Sequence, residues 1–377
     1  MAITNIDYEF MARALQLAER GLLTTSPNPR VGCVITHGER IIGEGFHIEA
    51  GTGHAEVNAL QSIDASDTSV GATAYVTLEP CSHHGRTGPC CEALATAGIT
   101  RVVYAMTDPN PLVAGRGIRY LEQQGIQVDG PVCESQAMAL NPGFIKRMQT
   151  NKPFVRLKLA MSLDGRTAMA SGESQWITGP KARAQVQKLR ARSCAVVTGH
   201  STITADNARL TVRVSELPEQ TYAPLKNHPQ SRGMRRPLRV VLDSNASLSG
   251  HEDFFHEQSE CLWVTAGAKP AHILPTIEWK TLPSKSGKVD LNDLLDDLAS
   301  RQCNEVLVEC GATLAGSFIE QKLVDELVIF VAPVILGSSA RPLLQLDIQS
   351  MSDKLEMDIT DIRAVGQDWQ ITAKSKP

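Results

Sequence analysis

Apolar residues recur at helical spacing between Asp7 and Arg20, where Phe10, Met11, Ala14, Leu15 and Ala18 share one face and predict an amphipathic helix with that face inward. The period then shortens. Runs at Val31 to Ile35, Ala72 to Leu78 and Arg101 to Ala105 read as strands, and helical stretches separate them. One such stretch opens at His54, with Ala55, Val57, Ala59 and Leu60 in register. Another runs from Cys90 to Ala97 behind Pro89, a proline suited to the first helical position, and stops at Gly98. This alternation predicts a mixed or parallel sheet covered on both faces.

Proline, glycine and charge interrupt the pattern from Asn141-Pro142-Gly143 to Asn151-Lys152-Pro153, which predicts a domain boundary and two domains, 1–147 and 148–377. Beyond it, strands are expected at Phe154 to Leu159, Cys194 to Thr198, Leu238 to Leu242, Cys261 to Thr265, Val306 to Glu309 and Leu327 to Val331. The polar, proline-bearing stretch from Pro218 to Arg236 reads as a surface loop.

Composition narrows the class without naming it. At 377 residues the chain exceeds the size at which one core stops growing, which agrees with two domains. The first ten residues carry acid and no apolar core of a signal peptide, and no run of about 18 apolar residues occurs, so a cytoplasmic protein without a membrane span is expected. Nine cysteines outside a secretory context fit reduced thiols and a metal site. A net charge of −4 gives no basic footprint for nucleic acid, so an anionic small molecule would be held by local arginines.

The candidate chemistry sits at His54-Ala55-Glu56, Pro80-Cys81 and Pro89-Cys90. One imidazole and two thiolates supply three ligands to zinc and leave a fourth position open, the mark of a catalytic site. Water bound there falls to a pKa of roughly 7. Glu56 can then carry protons without binding metal, the arrangement of zinc deaminases acting on cytosine- and adenine-like rings. His83, His84 and Cys91 lie near enough in sequence to compete as ligands, and a fourth protein ligand would make the site structural instead. The absence of two C-x-x-C hooks argues against that. In the second domain no G-x-G-x-x-G and no P-loop occurs. The strand Val306 to Glu309 runs into Gly311 and a helix through Gly316, Ser317 and Phe318, either a turn whose backbone N–H groups approach a pyrophosphate or an ordinary tight turn.

Ser26-Pro27-Asn28-Pro29-Arg30-Val31-Gly32-Cys33-Val34, Gly45-Phe46-His47, His54-Ala55-Glu56 and Thr77-Leu78-Glu79-Pro80-Cys81 through Pro89-Cys90 resemble the deaminase half of the RibD family of bifunctional riboflavin-biosynthesis proteins. Lys158 to Arg166, Ser174-Gln175-Trp176-Ile177-Thr178 and Glu309-Cys310-Gly311 through Ser317 resemble its reductase half. The match keeps the family order over nearly the whole chain. It implies an α/β protein with an N-terminal cytidine-deaminase-like α/β/α domain and a C-terminal dihydrofolate-reductase-like α/β domain, using one Zn2+ and NADPH. A homo-oligomer, in the first instance a dimer, is expected.

The resemblance further implies that Ala160, Trp176, Thr202, Asp206, Ser244, Gly311, Ala312, Thr313, Leu314, Ala315, Gly316 and Ser317 contact NADPH. It implies that Asn28, His47, Lys158, Ser174, Arg190, Leu210, Arg213 and Glu309 contact the substrate, a diaminopyrimidine carrying a phosphoribosylamino group. Taken alone, Asn28 also fits a turn, His47 a surface imidazole and Arg190 a solvated helix face, while Trp176 fits a core aromatic less well because it sits in a Ser-Gln-Trp loop outside any apolar periodic run. Four positions depart from the family pattern: Gly88 for a second proline, Cys310 for glycine, and Asn207-Ala208 for Asp-Pro. A tRNA-editing type of deaminase would share the zinc residues but would want a basic surface and would leave the second domain unexplained.

Overall fold

The N-terminal apolar stripe forms helix α1 (Asn5–Glu19), whose buried face is Phe10, Met11, Ala14, Leu15, Leu17 and Ala18. Asp7 Oδ2 closes its first turn by accepting the Thr4 N–H (2.8 Å). The computed structural model describes residues 3–83, 88–111, 113–218, 228, 230–257 and 259–376. The chain divides into two units, Met1–Asn151 with Glu219–Arg235 and Lys152–Pro218 with Arg236–Pro377. Among the described residues no helix is long and apolar enough to cross a membrane.

The first unit is a five-stranded sheet of β1 (Gly32–His37), β2 (Arg40–Phe46), β3 (Thr73–Val76), β4 (Arg101–Tyr104) and β5 (Gln127–Asp129), in the order β2-β1-β3-β4-β5. β1 is antiparallel to β2 and β3, while β3, β4 and β5 run parallel. Helix α2 (Ala55–Gln61) lies on β2 at very close range. A Cβ on Gly45 would stand 2.3 Å from the Ala59 nitrogen, so only glycine admits the helix that carries Glu56. Helices α3 (Cys90–Thr96), α4 (Arg116–Gln123), α5 (Glu134–Leu140) and α6 (Pro142–Thr150) complete the unit. Pro89 stands one position earlier than a first-turn proline. It caps α3 in extended conformation, and Cys90 is the first helical residue.

Of the polar stretch Pro218 to Arg236, residues 219–227 and 229 lie outside the described residues. The described residues between 228 and 235 belong to the first unit. The Arg232 N–H donates to Glu49 Oε2 (2.8 Å) and the Arg235 N–H to the Leu23 carbonyl (3.2 Å), while the His228 ring stands edge-on to Phe46 at 6.1 Å.

The second unit is built on a nine-stranded sheet. In chain order its strands are β6 (Phe154–Ser162), β8 (Ala195–Gly199), β9 (Leu238–Leu242), β10 (Cys261–Thr265), β11 (Glu278–Thr281), β14 (Glu305–Glu309), β15 (Glu326–Ala332), β17 (Met357–Val365) and β18 (Asp368–Ser375). The spatial order is β11-β10-β9-β8-β14-β6-β15-β18-β17, parallel from β11 through β15 and antiparallel at β18 and β17. Short pairs join β7 (Arg166–Ala168) to β16 (Arg341–Pro342) and β12 (Ser284–Lys285) to β13 (Lys288–Val289).

The period of two explains why the central strands read as unbroken apolar runs. Val306 and Val308 enter one core with Val240, Leu262 and Val197, while Leu307 enters the opposite core with Val196, Val241 and Trp263. Both faces are covered. Helices α7 (Pro180–Arg192), α8 (His200–Asp206), α9 (Leu291–Ser300) and α10 (Ala312–Glu320) connect the strands.

Candidate functional sites

His54 is the N-cap of α2 and Cys90 the first residue of α3, while Cys81 lies in the loop after β3. His54 Nδ1 stands 3.2 Å from Cys90 Sγ and 3.5 Å from Cys81 Sγ, and all three ligand atoms lie within 4.8 Å of one another. Zinc bonds of about 2.0 Å to nitrogen and 2.3 Å to sulfur, in tetrahedral array, separate N from S by about 3.5 Å, so this donor set fits zinc. The Cys90 N–H points at Cys81 Sγ (3.3 Å). Hydrogen bonds from Cys90, and then from His54, draw the Cys81 thiol down to about 4. The shared proton stays on Cys90, whose own value is pushed up. The Cys81 sulfur in turn raises the His54 imidazole.

Glu56, one residue into α2, is buried beside these groups. Burial, and then the neighbouring Cys81 thiolate, push its carboxyl up to about 7, the range a proton carrier needs at neutral pH. Cys91 is buried in α3 and His83 is exposed, and neither joins the cluster. His84 lies outside the described residues.

His47 is not a surface imidazole: it is buried, its ring 5.2 Å from that of His54. Burial pushes it down to about 4, which makes it neutral. With Nδ1 bonded to the Gly53 carbonyl (3.1 Å), its proton sits there. Nε2 is left to accept from the Asn28 amide (3.1 Å). Asn28 and His47 thus form one polar edge beside the His54, Cys81 and Cys90 cluster.

The second unit holds a cleft of about 1430 Å³. Lys158, Ala160, Ser174, Trp176, Thr202 and Asp206 line it. So do Leu210, Arg213, Ser244 and Glu309, followed by Gly311, Thr313 and Ser317. Ala312 and Leu314 complete that wall. Ala315 and Gly316 do not reach it. Ala315 is buried in the core against the sheet, and Gly316 faces the Gln345 carbonyl, which a Cβ would meet at 2.0 Å. Trp176 is no core aromatic, being 64% exposed, with the Arg183 guanidinium 4.6 Å from its ring centroid. Ser174 Oγ donates to Asp206 Oδ1 (2.8 Å).

Arg190 is not on a solvated helix face. Its Nε and Nη2 hold Glu309 at 2.6 and 3.0 Å, and Nη1 donates to the Thr211 carbonyl (3.0 Å). The guanidinium lines the cleft as well and holds Glu309 in place there. Burial alone would raise Glu309, but Arg190 and then Lys158 hold it below the usual carboxylate range. Burial lowers Lys158, with Glu309 opposing and Arg190 assisting. Arg183, Lys288 and Arg341 also line the cleft and add positive charge. Sequence reasoning did not single these three out, because a cation on a helix or hairpin carries no local mark of facing a cleft.

Gly311 needs no special backbone, with φ −76°, and a Cβ there would meet nothing within 4 Å. The turn between β14 and α10 therefore presents open backbone to the cleft at a helix N-terminus, a feature able to receive an anion.

Residues 4–106 match the family model of the cytidine and deoxycytidylate deaminase zinc-binding region, and residues 153–371 match that of the RibD C-terminal domain. The riboflavin biosynthesis protein RibD of Escherichia coli K12 is 49% identical over 364 residues, covering 96% of this chain and 97% of that one. RibD of Haemophilus influenzae is 45% identical over 371 residues, 98% of each chain. Among solved structures, Acinetobacter baumannii RibD (form 1) gives a TM-score of 0.87 at 41% identity over 99% of both chains. A diaminohydroxyphosphoribosylaminopyrimidine deaminase/5-amino-6-(5-phosphoribosylamino)uracil reductase of Thermotoga maritima gives 0.87 at 32% identity, covering 98% of this chain and 99% of that one. Since the likeness runs through both units, the His54, Cys81 and Cys90 cluster in one and the cleft in the other, the chain belongs to the RibD family: it is a bifunctional deaminase and reductase of riboflavin biosynthesis that uses Zn2+ and NADPH.

Proposed function

We propose that the first unit deaminates 2,5-diamino-6-(5-phosphoribosylamino)pyrimidin-4(3H)-one and that the second reduces the ribosyl group of the product to ribityl, giving 5-amino-6-(5-phosphoribitylamino)uracil. The observation that carries this reading is the buried Glu56 beside a three-ligand zinc set, on one chain with a separate cleft ending in the Gly311 turn. His54, Cys81 and Cys90 hold the metal, which when bound acidifies a water and so supplies the nucleophile. Glu56 moves a proton to the ring nitrogen and then to the departing ammonia. Asn28 and His47 hold the pyrimidine edge.

In the reductase, the cleft would hold NADPH, which when bound would supply the hydride for C1 of the ring-opened, imine-like sugar. Lys158, made more acidic by burial, gives the proton that the imine nitrogen takes up, while Glu309 holds the sugar and is itself held by Arg190. Ser174, Leu210 and Arg213 complete the substrate end. Ala160, Trp176, Thr202, Asp206, Ser244 and the Gly311 to Ser317 segment serve the cofactor, Ala315 and Gly316 through packing. Supplying the diaminopyrimidine nucleotide with NADPH tests the whole. Ammonia should appear with NADPH oxidation following it, and oxidation without prior ammonia release would refute the order.

Gly311→Val gives a sharper test of the cofactor turn. The open space at its Cβ lets the variant fold, yet the side chain would stand where backbone must approach a pyrophosphate. The NADPH KM should rise by about tenfold or more, a loss of roughly 1.4 kcal/mol, with ammonia release unchanged. An unaltered KM would return the turn to simple packing.

We also propose that the chain acts in the cytoplasm as a homodimer. The outermost strand β17 exposes Ile359 and Ile362, and Trp369 on β18 is half exposed, an apolar sheet edge suited to a second copy. A monomer mass by light scattering at micromolar concentration would exclude the dimer.

A further inference from the structure

Glu79 has no part in the chemistry described so far, yet it is buried and makes more backbone contacts than any zinc ligand. Its Oε1 accepts the N–H groups of Gly117 (2.9 Å) and Ile118 (3.4 Å), in the first turn of α4. Its Oε2 accepts those of Gly115 (2.9 Å) and Asp108 (3.2 Å). A carboxylate at a helix N-terminus answers both the dipole and donors that have no partner within the helix. Only Pro80 separates Glu79 from Cys81, and its ring fixes one of the two soft backbone angles between them. The Pro80 carbonyl packs so tightly on α4 that a Cβ on Gly117 would stand 1.9 Å from it. On the far side the Cys81 carbonyl accepts the Cys91 N–H (3.2 Å), which ties the turn to the helix that begins with Cys90.

We propose that Glu79 is a positioning residue of the deaminase site: by gathering the N–H groups of Asp108, Gly115, Gly117 and Ile118 onto its carboxylate, it sets the Cys81 sulfur relative to Cys90 and His54 and thereby controls zinc retention. This rests on the reading of Cys81 as a zinc ligand. A glutamine of the same shape keeps one acceptor oxygen but turns an NH2 group toward two N–H donors. Glu79→Gln therefore breaks the lock at nearly constant volume.

The test uses the zinc-loaded full chain and three readouts: the rate of zinc transfer to the chelator 4-(2-pyridylazo)resorcinol, deaminase kcat, and reductase kcat/KM on the deaminated nucleotide. Glu79→Gln should speed zinc transfer and lower deaminase kcat by about tenfold or more each, as loss of a ligand-orienting partner does. Reduction should stay within about twofold, since the cleft lies in the other unit.

Asp7→Asn separates positioning from mere stability. It weakens the same unit at the Asp7–Arg101 ion pair (2.7 Å), outside the zinc triad, and should lower Tm without speeding zinc transfer. Glu79→Asp, which keeps both oxygens one methylene short, should fall between wild type and Glu79→Gln and serves if the latter does not fold. Zinc transfer and kcat within about twofold of wild type in the Glu79 variants would overturn the proposal, as would equal zinc loss in Asp7→Asn at equal Tm. A wild-type chain that cannot be loaded with zinc would instead overturn the metal reading, and this proposal with it.

Discussion

Glu56→Gln is expected to reduce ammonia release by about 10²- to 10⁴-fold while leaving the bound zinc nearly intact. The side chain is buried against the zinc ligands, and its carboxyl is raised to about 7 by burial and by the Cys81 thiolate. It can therefore both accept and return a proton near neutral pH, which glutamine cannot do. Zinc should survive because the donor atoms belong to His54, Cys81 and Cys90, and glutamine preserves the volume beside them. Zinc by atomic absorption and ammonia under saturating substrate measure the two quantities independently. Loss of metal in step with activity would make Glu56 a ligand or a structural support, and the proton-carrier assignment would fall.

The helical stripe of α1 and the central strands of the second unit were legible because burial there follows period. Leu238–Leu242 and Cys261–Thr265 occur as strands over the expected residues. β2 was hidden for a physical reason: Gly43 and Gly45 interrupt its apolar pattern so that α2 can lie against its backbone. β17 was hidden because it is the outermost strand and solvent reaches nearly all its residues, leaving no alternation to read. The polar excursion after Pro218 looked like a loop of the second domain. That its described residues between 228 and 235 belong to the first unit depends on contacts with Leu23 and Glu49, which are remote in sequence.

The clustering of His54, Cys81 and Cys90 was legible because spacing and residue type both constrain it. The reductase residues were not, since each is an ordinary side chain whose meaning comes from the cleft. Arg190 shows the difference. A basic residue in the Lys- and Arg-rich sequence of α7 reads as solvated, yet the packing of α7 beside β14 turns it onto Glu309. Ala315 and Gly316 show the converse. They share the family motif with Gly311, but at their helical positions one faces the sheet core and the other the Gln345 carbonyl.

Cys81→Ser should abolish deamination, by several orders of magnitude, while reduction of the already deaminated nucleotide stays within about twofold of wild type. Serine is a poor replacement for a thiolate toward zinc at neutral pH, because its hydroxyl stays protonated where the Cys81 thiol is drawn down to about 4. The two remaining ligands, His54 and Cys90, cannot hold the metal as tightly. Cys90 also loses the thiolate that its N–H now faces. The residues lining the reductase cleft lie from Lys158 to Gln345, all in the second unit, so no term in hydride transfer should sense the change. The measurement is a pair of steady-state assays on one preparation, ammonia release from the diamino substrate and NADPH oxidation on its deaminated product. If reduction collapsed along with deamination in a variant that kept the wild-type circular dichroism spectrum, two independent sites would be the wrong description of this chain.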